Sequence, residues 1–65
     1  MKILIYEARK KKNLTLRQLE ALTGINRTTL NFIENGKASP KMCQLEAIAI
    51  ALDVKITDLF ESEYK

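Results

Sequence analysis

The chain has 65 residues, 46% of them hydrophobic, and carries 11 Lys and Arg against 8 Asp and Glu, a formal charge of +3. Such a chain is expected to form one small domain over residues 1–65, apolar enough to build a core and too short for a separate sensor. With no histidine and a single cysteine, histidine-based metal sites, Ser-His-Asp and Cys-His nucleophiles and an internal disulfide are excluded, so no catalysis, metal or organic cofactor is expected.

A domain of this size buries only about 60% of the surface its unfolded chain exposes, so its stability rests on efficient packing. The apolar run after Met1 is too short for a signal peptide, and charge follows it at once. The longest apolar run, Ala47 to Leu52, is far below the roughly 18 residues of a membrane span. The expectation is a cytoplasmic protein with no membrane contact. Charge is unevenly placed: residues 1–41 hold nine bases against three acids, and residues 42–65 hold two bases against five acids. A basic front followed by an acidic tail fits a polyanion-binding face. Charge alone leaves an ordinary solvated surface equally open.

Taken in chain order, the pattern predicts helices and no strand. Residues 2–12 form the first. Leu14-Thr15-Leu16-Arg17-Gln18-Leu19 is a complete start signal: Thr15 and Gln18 make a capping box, and Leu14 staples to Leu19. The second helix runs over 16–23 and stops at Gly24, which supplies a left-handed residue. Asn26 caps the third helix, 27–35, with Ile25 placed to staple to Leu30. Asn35-Gly36 is a second stop. Ser39-Pro40 predicts a fourth helix over 40–52, with Ser as cap and Pro at the first helical position. Leu45, Ile48, Ala49 and Leu52 form its inward stripe, with Met42. Residues 56–61 make a short fifth helix. The fold class is all-α.

The second helix, the turn Thr23 to Asn26 and the third helix read as a helix-turn-helix. Leu19, Leu22, Ile25, Leu30 and Ile33 are the expected buried wedge. An advance of about 100° per residue puts Thr28 opposite that wedge, with Arg27, Asn31 and Phe32 beside it. These four side chains are the candidates for reading base edges in a major groove. Phe32 has two readings, contact with a thymine methyl or packing under a neighbouring loop.

Arg9, Thr15-Leu16-Arg17-Gln18-Leu19, Thr23-Gly24-Ile25, Ile33-Glu34-Asn35-Gly36-Lys37, Pro40 and the later run Leu45, Ile48-Ala49, Leu52-Asp53-Val54 and Leu59-Phe60 together resemble the Cro/phage-repressor (xenobiotic-response-element, or Cro/C1) type of helix-turn-helix family. The resemblance covers nearly the whole chain, and the Glu-Asn-Gly-Lys plus Pro spacing is its most specific part. It implies a five-helix lambda-repressor-like domain that binds double-stranded DNA without a cofactor. It also implies a largely buried ion pair between Arg9 and Glu34, base reading by Arg27, Thr28 and Phe32 with Asn31 beside them, and phosphate contacts at Thr15, Arg17, Asn35, Lys37 and Lys41. Three positions depart from the family pattern. Leu16 replaces a Gln that touches phosphate, Glu20 stands where a small Ala lets the second and third helices approach, and Lys55 replaces a small cap. The Glu20 carboxylate must therefore turn outward or find a partner.

The fourth helix has a second apolar stripe, Cys43, Ala47, Ile50 and Val54, which is a candidate dimer face; the family pattern is polar at Ile50. A scattered exposed Ile is the plainer reading. Cys43 reads as a small apolar residue, and Lys10-Lys11-Lys12 as a solvated helix end that complements the helix dipole. The whole reads as a sequence-specific duplex-DNA-binding transcription regulator, a repressor acting by operator occupancy, with a palindromic operator and a weak homodimer that is firmer on DNA. The alternatives are a protein-interaction module such as an antitoxin-like subunit and, least favoured, an RNA-binding protein, because A-form RNA hides base edges from a helix.

Overall fold

Four backbone reversals at positive φ cut the chain into its helices: Asn13 (57°), Gly24 (75°), Gly36 (73°) and Asp53 (55°). The computed structural model describes all 65 residues. In chain order they form β1 (Lys2–Ile3), α1 (Ile5–Lys11), α2 (Leu16–Thr23), α3 (Arg27–Glu34), α4 (Met42–Leu52), a 3-10 turn (Ile56–Leu59) and β2 (Phe60–Glu61). Gly24 and Gly36 take the left-handed conformation without a Cβ penalty. At Asn13 and Asp53 a short polar side chain tolerates it.

Each reversal closes a helix end with backbone hydrogen bonds. After α1, the Leu14 N–H donates to the Arg9 carbonyl (3.2 Å) and the Asn13 N–H to that of Lys10 (3.0 Å). After α4, Val54 donates to Ala49 (3.0 Å) and Asp53 to Ile50 (3.2 Å), the same Schellman pattern. The starts of α2 and α3 are closed by side chains. Thr15 Oγ1 accepts the Gln18 N–H (3.1 Å) and Gln18 Oε1 accepts the Thr15 N–H (2.8 Å). Asn26 Oδ1 accepts the Thr28 N–H at 2.7 Å.

The expected five-helix count is corrected to four α-helices and a 3-10 turn. The first helix begins at Ile5, not residue 2, because Lys2 and Ile3 pair antiparallel with Glu61 and Phe60, and the Leu4 N–H donates to the Leu59 carbonyl at 2.8 Å. The same ribbon ends the predicted fifth helix early, since Phe60 is extended (φ −153°). The fourth helix starts at Met42 rather than Pro40. Gln44 Oε1 accepts the Lys41 N–H at 2.8 Å, which makes Lys41 the residue outside the helix and leaves Ser39 and Pro40 in the approach.

The core is Ile5, Leu19, Leu30, Ile33, Leu45, Ile48, Ala49, Leu52 and Leu59, drawn from every helix and the 3-10 turn. Ile25 packs against it. Leu22, expected in the wedge, is 61% exposed. The inward line of α2 is Leu16, Leu19, Glu20 and Thr23, all buried or half-buried, and Leu22 lies about 110° around the helix from it. Met42 is also exposed; as the first residue of α4 it lies beyond the reach of the core.

Candidate functional site

Packing of α2 against α3, with Leu30 and Ile33 in the shared core, buries one side of α3 and leaves the other free. Arg27, Thr28, Asn31 and Phe32 are all exposed on that free side, with Phe32 at 44%. Asn31 Oδ1 accepts from Asn35 Nδ2 at 3.2 Å, a one-turn link that steadies both amides. Thr15, Arg17, Asn35, Lys37 and Lys41 are exposed as well. Arg17, Lys37 and Lys41 form none of the three ion pairs in the molecule, so their charges are uncommitted. Thr15 lies at the start of α2, whereas Lys37 lies within the loop between α3 and α4 and Lys41 ends it.

That loop is held from behind by Arg9 and Glu34. Arg9 Nε donates to Glu34 Oε2 at 2.8 Å and Nη2 to Oε1 at 3.1 Å, a fork-to-fork pair. Nη1 donates to the Leu14 carbonyl at 2.9 Å. Both side chains are nine-tenths or more buried, and no buried side-chain N or O lacks a partner. The hydrogen bond to Glu34 raises the guanidinium pKa above its ordinary value, with burial acting in the opposite direction and the Glu34 and Tyr6 charges adding to the rise. The guanidinium therefore stays charged, and its paired hydrogen bonds to Glu34 join α1 to the last residue of α3.

Two features of this surface carried only faint signals in the sequence. Tyr6 lies under the Arg9 guanidinium (5.3 Å to the ring centroid) and near Lys10 Nζ (5.8 Å); spacings of three and four on one helix were the signal. Glu20 has found a partner across the turn. Its Oε2 accepts the Arg27 backbone N–H at 2.9 Å, and its Oε1 lies 3.4 Å from Arg27 Nε. Opposite charges at the end of one helix and the start of the next were the available hint.

The candidate dimer face is smaller than its sequence stripe. Cys43 is exposed and Ile50 is 75% exposed, but Ala47 is half-buried. Val54 packs on the core, because the Asp53 reversal takes it off the α4 register.

A helix-turn-helix family model matches residues 5–59. The chain belongs to the helix-turn-helix family. A family relative from Archaeoglobus fulgidus, described as an uncharacterized HTH-type transcriptional regulator, is 37% identical over 60 residues, 92% of this chain and 84% of that one. Among solved structures, the fold is similar to the restriction-modification controller protein C.AhdI from Aeromonas hydrophila, with a TM-score of 0.82 and 28% identity over 86% of this chain and 85% of that one. It is also similar to the N-terminal DNA binding domain of SinR from Bacillus subtilis, with a TM-score of 0.81 and 27% identity over 94% of this chain and 90% of that one. The matched residues of this helix-turn-helix protein include every candidate base- and phosphate-contacting position and both members of the buried ion pair. No helix is long and apolar enough to cross a membrane.

Proposed function

We propose that residues 1–65 act as one DNA-binding domain of a cytoplasmic transcription regulator that represses by occupying its operator. The observation that carries this reading is the free side of α3, where Arg27, Thr28, Asn31 and Phe32 are exposed opposite buried Leu30 and Ile33. A helix presented this way fits a major groove. Uncommitted bases at Arg17, Lys37 and Lys41 would hold the phosphates on either side, with Thr15 and Asn35 adding polar contacts. The similarity to the Archaeoglobus fulgidus transcriptional regulator and to the DNA binding domain of SinR supports the same reading.

A salt titration of binding to duplex DNA tests it. Neutralising about three phosphates per half-site gives a slope of log K on log salt of about −3. A slope near zero, or preference for RNA over duplex DNA, would contradict it.

The exposed Ile50, with Cys43 and Ala47 on the same side of α4, supports a weak homodimer that is firmer on a palindromic site. The two recognition helices would then sit about 34 Å apart, one turn of DNA. Ile50→Lys is expected to abolish cooperative filling of two half-sites while leaving half-site affinity and melting temperature nearly unchanged. Identical half-site titrations and sedimentation for the variant and the parent would remove α4 from dimerisation.

A further inference from the structure

We propose that Glu20 is a specificity-determining residue that fixes how Arg27 meets a base edge, an inference that rests on α3 being the base-reading helix. Glu20 lies on the inward line of α2, and its side chain is 34% exposed. Both carboxylate oxygens face one residue: Oε2 holds the Arg27 backbone N–H at 2.9 Å, and Oε1 lies 3.4 Å from Nε. One anion on α2 therefore hydrogen-bonds the main chain that starts α3 and pairs by charge with the half-exposed guanidinium that leaves it. A free arginine side chain has large rotamer entropy to lose on binding, and the ion pair with Glu20 removes part of that loss beforehand.

The hold also selects which edge of the guanidinium is presented. Its donors sit in a rigid fork. With Nε facing Glu20, the Nη1 and Nη2 end is the edge left for DNA, and that edge donates in parallel to O6 and N7 of guanine. Guanine is thus the base that Arg27 reads. An anion near phosphates opposes binding to every sequence, by about twofold for one charge some 10 Å away in water. The ion pair sacrifices some general affinity for discrimination.

Those two effects have opposite signs, which separates this role from simple capping of α3. Glu20→Gln keeps an acceptor for the Arg27 N–H and removes the charge. Glu20→Ala restores the small residue usual in the resembled family, so its packing is expected to survive; melting curves check both variants. The parent and both variants are taken through selection from a random-core duplex library. Affinities are then measured on the parent's selected duplex, on its single-base changes and on an unselected duplex. Guanine preference at one position per half-site is expected to fall about fivefold or more in both variants, while affinity for the unselected duplex rises about twofold. In the free protein, NMR of the Arg27 Nε–H should show greater mobility in Glu20→Ala than in the parent. If the parent enriches no sequence, the reading of α3 fails and the Glu20 role fails with it. If the parent enriches a guanine-containing site and the variants keep full preference for it, the Glu20 role alone fails. Equal loss of affinity on all duplexes also overturns it and leaves Glu20 as a helix cap.

Discussion

Glu34→Ala is expected to remove a large share of the protein's stability. The substitution strands the Arg9 guanidinium, whose residue is only 8% exposed, with the Leu14 carbonyl as its one remaining hydrogen-bond partner. Removing one member of a buried pair typically costs about 3–5 kcal/mol. A domain of 65 residues has a total stability of about 3–10 kcal/mol at the usual per-residue range. In a domain this small each kcal/mol is worth about 4–8 °C, so the melting temperature should fall by more than about 12 °C. Replacing both members with apolar residues, as in Arg9→Met with Glu34→Leu, should recover much of the loss, because no uncompensated charge remains. A single variant that melts within a degree or two of the parent would show that the pair does not hold α1 to α3.

The second large effect is on recognition. Arg27→Ala should relax base preference at one position per half-site and cost about 1–3 kcal/mol on the preferred sequence alone. The fold should survive, since the Arg27 backbone N–H still reaches Glu20. Lys37→Ala should instead weaken every duplex alike and flatten the salt slope by about one unit. Competition with single-base-substituted duplexes separates the two. Uniform loss in both variants would mean that α3 is not the reader.

How much of this was legible in the sequence depended on how ambiguous each residue type is. Gly24 and Gly36 announced their reversals because few other residues take positive φ without cost. Asn13 and Asp53 did the same work unannounced, since these residues serve equally as helix starts and turn formers. The Thr15–Gln18 box was readable because both partners lie within four residues. The terminal ribbon was not, because two-residue strands have no periodicity and Lys2 and Glu61 lie at opposite ends of the chain. The four exposed side chains of α3 followed from helical geometry once Leu30 and Ile33 were taken as core. The Glu20–Arg27 contact needed the relative placement of two helices, which spacing along one helix does not contain. Val54 shows the converse: α4 periodicity assigned it to an outer face, and one left-handed residue before it turned it against the edge of the core.

The most direct test is selection by the parent protein from a random-core duplex library at physiological salt. The expected product is a two-fold symmetric site whose half-sites are centred about one helical turn apart, each with a guanine that Arg27→Ala ceases to prefer. Recovery of unenriched sequence, with no duplex bound above the random pool, would contradict the assignment of α3 as a reading helix.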